Sequence, residues 1–395
     1  MTTYRIPFNK PHATGKELEY IQQAIDKGQL SGNGFYTKKC QEWLQQNIGC
    51  HKAFLTHSGT AALEMAAMLL DLKPGDEVIM PSFTFVTTAS AFVLRGAVPV
   101  FVDIRPDTLN IDESKIEAAI TERTRAIVPV HYAGIGCDMD AIMRIAEKHK
   151  LIVVEDAAHC VHAAYKSRQL GSIGHLAALS FHETKNIIAG EAGALLINDK
   201  SFADRAAIVW EKGTNRAEFY MGLADKYTWK DIGSSFLPSE MVAAFLWAQM
   251  EQARQITDRR LVLWNRYHAL LADLEKRGLI VRPTIPEHST PNAHLYYFLV
   301  SSPEIRSQLL KYMNEKGVLA VFHYVPLHQS PAGRRYGRCH EVLQNTDKLS
   351  EQLVRIPLFV DLTEDEQDLV LELIESFFKE QKLVAKTETA QAISG

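Results

Sequence analysis

The sequence predicts an α/β protein on a mostly parallel central sheet, with a smaller α+β unit following it. Two observations carry that expectation. Between Ala53 and Ile197 short apolar runs alternate with helix patterns, as parallel strands buried on both faces do. Further on, a helix pattern opening at Ser302-Pro303 and closing at Gly317 lies between the strand-like runs Leu295–Val300 and Leu319–Val325, which suits helices on one face of an antiparallel sheet. The expected division is 1–250 for the large domain with its N-terminal segment, 251–382 for the small domain, and a frayed tail over 383–395, where little can be buried.

Composition narrows the function. Of 395 residues, 46% are hydrophobic and 23% charged, and the formal net charge is −4. No basic field for nucleic acid or an anionic membrane is present, so local donors must grip any phosphate. Met1–Lys10 lacks the apolar core of a signal peptide, and no later run has bilayer length, so a cytoplasmic protein is expected. Cys40, Cys50, Cys137, Cys160 and Cys339 form no CxxC pair and are expected to be free thiols.

In chain order, helix patterns at Lys16–Lys27 and Thr37–Asn47 flank a glycine-rich stretch, Gly28–Gly34. That stretch is a plain turn or a loop near a ligand, because neither GxGxxG after a strand nor GxxxxGK[ST] occurs. Next, Ala53–Thr56 reads as a strand, and Ser58-Gly59-Thr60 opens a strong helix without bulk over its first amides. Those amides and the helix dipole make an anion site, with simple capping by Ser58 or Thr60 as the alternative. Strands follow at Glu77–Met80, Pro99–Asp103, Ala126–Val130 and Leu151–Asp156, the last preceded by a helix pattern over Met139–Lys148. Ligands of such sheets gather at the carboxyl ends of strands, where Asp156 and Ser180 fall.

Glu155-Asp156-Ala157-Ala158-His159-Cys160-Val161-His162 concentrates potential metal ligands, yet no HxxxH or CxxC accompanies it, and no metal is expected. A strand-end carboxylate can instead keep a heterocyclic nitrogen protonated, or form a structural salt bridge. Leu176–Phe181 then delivers Lys185 into a short loop before Gly193 opens the next strand. A lysine beside packed apolar surface favours its neutral form and can form Schiff bases, whereas a surface-loop lysine would titrate normally. Taken together, an anion-binding helix start at Gly59 and Thr60, an aromatic strand end at Phe83-Thr84-Phe85, Asp156, Ser180 and Lys185 match pyridoxal 5'-phosphate. Its phosphate would lie on the helix, its ring on an aromatic face, its nitrogen on Asp156 and its aldehyde on Lys185.

On these motifs the chain, from about Ile6 to Phe378, resembles the DegT/DnrJ/StrS family of sugar aminotransferases, which implies the type I (aspartate aminotransferase) fold. The resemblance places phosphate on Gly59 and Thr60, the pyridine on Phe85, its nitrogen on Asp156 and its phenolic oxygen on His159. Ser180 and the catalytic Lys185 match Ser-Phe-x-x-x-x-Lys. Two departures stand out. Gly190-Glu191-Ala192-Gly193 carries a methyl where the family has Gly-Glu-Gly-Gly, and Gly233-Ser234-Ser235-Phe236-Leu237-Pro238 replaces Gly-Tyr-Asn-Tyr-Arg-Met, whose asparagine reaches the neighbouring subunit's phosphate. By resemblance Ser235 takes that role, which implies a homodimer with its active site at the subunit interface.

The likeness is densest to members that move an amino group from L-glutamate to C4 of the nucleotide sugar dTDP-4-keto-6-deoxyglucose, over Pro81–Val86, Phe181–Asn186, Glu211–Arg216 and Asp231–Ser235. Their product, dTDP-4-amino-4,6-dideoxygalactose, is a precursor of enterobacterial common antigen. The alternatives are a gluco-configured 4-amino or a 3-amino product, or a non-catalytic regulator using the fold as a binding module. A dehydratase of this fold would carry histidine at position 185, and an NAD enzyme would need the missing glycine fingerprint.

In the remaining chain a long helix pattern over Ser239–Arg277 stops at Gly278, and Thr363-Glu364-Asp365-Glu366 is a capping box opening the last helix. His323, Tyr324 and His328, in His-Tyr-Val-Pro-Leu-His, are candidate substrate contacts or packed histidines. Arg216 is a candidate for a diphosphate or donor carboxylate, or an ordinary surface arginine.

Overall fold

The computed structural model describes residues 4–216, 219, 222 and 225–394, with 382–394 described by backbone only. An eight-stranded sheet forms the centre. Its strands are β1 Lys52–Thr56, β2 Glu77–Pro81, β3 Val98–Val102, β4 Thr124–Ile127, β5 Ile152–Asp156, β8 Leu176–Ser180, β9 Gly193–Ile197 and β13 Arg338–Cys339, in the spatial order β1-β9-β8-β5-β4-β2-β3-β13. Only β9 runs against the rest, paired antiparallel with both β1 and β8. The short pair β6 Ala164–Tyr165 and β7 Arg168–Gln169 joins β11 Ser289–Thr290 beside it. β2 and β9 are buried at every position, as strands covered on both faces must be.

Helices α1 Glu17–Asp26, α2 Phe35–Ile48, α3 Gly59–Leu69 and α4 Val86–Val93 lead the helical layers. The glycine-rich stretch before α2 does not line the cavity of this chain described below. Buried Glu240 accepts from the Gly34 amide at 3.0 Å and the Tyr36 amide at 2.7 Å, and from the Thr37 amide and hydroxyl. The protein's own carboxylate therefore occupies the anion-binding end of α2.

The expected helix from Ser239 is three pieces, Glu240–Glu251, Ala253–Leu270 and Ala272–Lys276. The chain changes cores within the second piece: Met250 and Ile256 pack with the large sheet, while Leu263 and Trp264 pack with the C-terminal unit. That unit carries an antiparallel sheet of β10 Ile280–Val281, β12 Tyr296–Val300 and β14 Leu353–Ile356. Leu319–Val325, expected as a strand, makes only the isolated bridge Val321–Arg355 before the chain turns along the cavity. The helix Pro303–Glu315 starts as expected, with Ser302 Oγ accepting from the Ile305 amide. The last helix opens on the reciprocal Thr363–Glu366 capping box but runs through Glu364–Ser394, beyond the point where a frayed tail was expected. Thr363 to Ser394 contains no glycine or proline, and its Ala, Glu, Gln and Lys residues are good helix formers, so the backbone continues helical.

Candidate active site

A cavity of about 910 Å³ opens where the carboxyl ends of β5 and β8 face the C-terminal unit. Its floor begins at α3. Ser58 caps this helix by accepting from the Ala61 amide at 3.1 Å, leaving the Gly59 and Thr60 amides without intrahelical partners at the cavity wall. Capping and anion binding thus coexist. A side chain at Gly59 would meet Ser180 Cβ at 2.9 Å, and one at Gly193 would meet the Ser58 carbonyl at 2.4 Å and the Gly59 nitrogen at 2.5 Å. Gly193 is where the loop must be bare, while the methyl of Ala192 is simply buried.

Strand alternation separates the two neighbouring carboxylates at the end of β5. Glu155 points away into the core, accepting from His131 Nε2 at 2.9 Å and from the amides of Gly171, Ile173 and Gly174. Asp156 faces the cavity, where its Oδ1 accepts from the Ala158 amide at 3.2 Å and its Oδ2 from the Thr88 hydroxyl at 2.6 Å. Thr84 and Thr88 hydroxyls lie 2.8 Å apart, and since Thr88 donates to Asp156, Thr84 donates to Thr88. Both threonines are buried. This relay fixes the carboxylate with charge-assisted bonding. Among the described residues, no three His, Cys, Asp or Glu side chains are grouped as metal ligands.

Lys185 sits in a pinned loop. Its amide donates to the His182 carbonyl at 2.9 Å, Asn9 holds the Glu183 carbonyl at 3.2 Å, and Asn186 donates to the Asn292 carbonyl at 2.8 Å. Burial pulls its amine from the ordinary 10.5 down to about 8; Asp156 opposes the shift and the cation of Arg355 adds to it. A useful fraction of the amine is therefore neutral near physiological pH.

Above them, His159 stacks on His294 with ring centroids 4.0 Å apart, and burial pushes both imidazoles well below their ordinary range. His159 Nδ1 is buried without a hydrogen-bond partner, so a ligand oxygen there would satisfy it. The Phe85 side chain is 56% exposed at the cavity wall, with Tyr324 at 6.4 Å. His323 accepts from or donates to the Tyr132 hydroxyl at 2.7 Å and stacks on Tyr324 at 3.6 Å, both facing the cavity.

The cavity therefore unites Gly59, Thr60, Phe85, Asp156, His159, Ser180, Lys185, His323 and Tyr324. It does not include His328, Arg216 or Ser235. His328 is tied instead to Ser82 Oγ at 2.7 Å and Asp347 at 3.0 Å, which uses both ring nitrogens. Arg216 lies outside the cavity wall, and Ser235 is exposed, bridged to Glu211. Three residues escaped the sequence reading. Thr88 lies just past Phe83-Thr84-Phe85, in Thr84-Phe85-Val86-Thr87-Thr88, and could have been found by its spacing of four from Thr84. His294 and Arg355 stand in apolar strand surroundings with no local signal.

An anion-binding helix start, an exposed aromatic face, an orphaned imidazole nitrogen, an aspartate and a lysine of lowered pKa fit pyridoxal 5'-phosphate in position and charge. This fold and this site define a pyridoxal-phosphate-dependent aminotransferase of the type I fold. The profile of the DegT/DnrJ/EryC1/StrS aminotransferase family matches residues 11–375, and the chain belongs to that family. It is 32% identical over 382 residues to the spore coat polysaccharide biosynthesis protein SpsC of Bacillus subtilis (strain 168), covering 95% of this chain and 97% of that one. Among solved structures it is similar to the PLP form of Spr1654 from Streptococcus pneumoniae, at 27% identity and TM-score 0.87, over 95% of this chain and 99% of that chain. It is likewise similar to DesV of S. venezuelae, at 29% identity and TM-score 0.85, with the same coverage. The protein is a sugar aminotransferase.

Proposed function

We propose that this enzyme transfers the amino group of L-glutamate to C4 of dTDP-4-keto-6-deoxyglucose, giving dTDP-4-amino-4,6-dideoxygalactose and 2-oxoglutarate, as a cytoplasmic homodimer. The product would feed a surface polysaccharide such as enterobacterial common antigen. The observation that carries amino transfer is the lowered Lys185 amine sharing one cavity with Asp156 and the bare start of α3. The choice of sugar is supported by the stretches around Glu183, Asn215 and Ser234. A volume of about 910 Å³ lies near the upper end of ligand pockets, roughly 300–1,000 Å³, and suits a cofactor with a hexose beside it.

Bound pyridoxal phosphate supplies a carbonyl for the donor's amine and an electron sink for the carbanion left when a proton departs. Gly59 and Thr60 amides would hold its phosphate, Phe85 would offer a ring face, and Asp156, locked by Thr88, would keep the ring nitrogen protonated. The Nζ of Lys185, neutral in part at physiological pH, would take the proton from the substrate carbon and return it in the second half-reaction. Exposed Ser235 lies outside its own chain's cavity, which suits a residue completing the partner's phosphate site.

The test is incubation with L-glutamate and dTDP-4-keto-6-deoxyglucose, followed by measurement of the product's ring coupling constants. An axial C4 amine is expected. An equatorial amine would reassign the product to the gluco series, and inactivity beside brisk turnover of a 3-keto sugar would refute the C4 position. A dTDP preference over UDP should be modest, since one methyl is worth roughly 1 kcal/mol in a fitted pocket.

A further inference from the structure

Beneath Asp156, on the far side of the sheet from the cavity, lies a carboxylate that the chemistry leaves unused. Glu155 and its partner His131 are both fully buried. The carboxylate takes four donors. Oε2 accepts from His131 Nε2 at 2.9 Å and the Gly171 amide at 2.8 Å, and Oε1 accepts from the amides of Ile173 at 2.7 Å and Gly174 at 2.6 Å. The Cys137 amide donates to His131 Nδ1 at 3.2 Å, so it is the Nε2 proton that faces Glu155. Burial works against the charge of Glu155, but the bonds from His131, Gly174 and Gly171 hold its carboxyl below the ordinary 4.5.

The four donors come from segments on both sides of β5. His131 lies just past the end of β4, and its amide donates to the Asp156 carbonyl at 3.2 Å, while the Asp156 amide donates to the Pro129 carbonyl at 2.9 Å. Gly171–Gly174 leads into β8, and it lies so close to β5 that a Cβ at Gly174 would meet the Val153 carbonyl at 3.0 Å and Glu155 Cγ at 3.2 Å. Glu155 therefore pins the exit of β4 and the entry to β8 to the end of β5, one residue before Asp156. Neighbours on a strand face opposite ways, so any shift of Glu155 on the core side carries Asp156 with it on the cavity side. Thr88 and the Ala158 amide hold the Asp156 carboxylate itself; Glu155 and His131 hold the backbone that bears it.

We propose that Glu155 and His131 are a positioning pair for amino transfer, acting through Asp156. The inference rests on the role given above to Asp156 at the cofactor's ring nitrogen. A carboxylate that must meet one nitrogen has little tolerance, since a misplacement of about 1 Å can cost roughly a hundredfold in rate. Only an anion suits the core position. A glutamine there would turn its NH2 group towards two donors, either His131 Nε2 and the Gly171 amide or the amides of Ile173 and Gly174.

The test uses the cofactor-loaded, full-length protein. His131→Leu removes the side-chain donor and should lower turnover about tenfold or more, with the half-saturating glutamate concentration within about threefold of the parent's. A second readout needs no turnover: the pH at which bound pyridoxal phosphate changes its absorbance should move in the same direction as it does in Asp156→Asn. Added to Asp156→Asn, where the anion is already gone, His131→Leu should change turnover by less than about threefold. His131→Gln, whose Nε2 hydrogen can still reach Glu155, should return turnover to within about threefold of the parent. If His131→Leu does not fold, Glu155→Asp, which keeps the charge but draws it back by one methylene, is read by the same measurements. A pair that merely supports the fold gives a different pattern: lower stability in urea, an unmoved absorbance midpoint, and losses of turnover that multiply in the double variant. That pattern would overturn the inference. The absorbance midpoint involves no substrate, so it decides the role of the pair separately from the choice of amino donor and sugar.

Discussion

Replacing Lys185 with methionine tests whether the site holds a destabilised amine, independently of catalysis. In the cofactor-free protein the amine titrates near 8 rather than at the ordinary 10.5, mainly because burial disfavours its charge. At about 1.4 kcal/mol per pH unit, that displacement corresponds to roughly 3 kcal/mol of lost stability when the group is charged in both folded and unfolded chains. Partial exposure of the side chain to the cavity screens the effect, so about 2 kcal/mol is the working figure. The sign follows from proton counting. Between pH 8 and 10.5 the unfolded chain binds more protons at this lysine, so its contribution to stability rises with pH; below 8 the full penalty applies. Methionine, of similar length and no charge, should therefore make the cofactor-free protein more stable than the parent by about 2 kcal/mol at pH 7. That advantage should shrink as pH climbs from 8 towards 10. Urea denaturation of both proteins at pH 7.0, 8.5 and 9.5 measures it. Equal stability at pH 7, or a difference that does not vary with pH, would refute the claim that burial depresses this amine. The variant must also lose all turnover; retained activity would remove Lys185 from the mechanism.

Asp156→Asn keeps size but withholds the anion from the ring nitrogen, so the cofactor should still bind while turnover falls by orders of magnitude; an unchanged rate would make Asp156 structural. Thr88→Val deletes the 2.6 Å bond to Asp156 and strands the Thr84 hydroxyl, and should cost roughly 1.5–3 kcal/mol by urea denaturation, with a drop in turnover. Gly193→Ala drives a methyl to 2.4 Å from the Ser58 carbonyl, so cofactor affinity measured by absorbance should fall more than for an Ala192→Gly control, where a buried methyl is merely removed. If Ser235 completes a neighbouring site, the active species sediments as a dimer at assay concentration; a fully active monomer would contradict that.

Local chemistry was legible in the sequence wherever it depends on neighbours along the chain. Alternating apolar runs specify buried parallel strands, Ser58-Gly59-Thr60 specifies a helix start with bare amides, Ser302-Pro303 and Thr363-Glu366 specify caps, and the order Gly59, Asp156, Ser180, Lys185 places chemistry at strand ends before any coordinate is known. Tertiary structure decided what depends on residues far apart. The Gly34 amide at the start of α2 looks open to a ligand until Glu240, over 200 positions away, accepts from it. His328 looks like a ligand contact until Ser82 and Asp347 take both its nitrogens. Thr88 becomes the holder of Asp156 only when α4 packs over the end of β5, and Arg355 reaches the cavity only because the C-terminal unit folds against the large sheet. The lysine itself shows the division most plainly. Its place in a loop after a strand is a matter of sequence, but its lowered pKa is a matter of desolvation, and desolvation exists only once distant segments have closed over it.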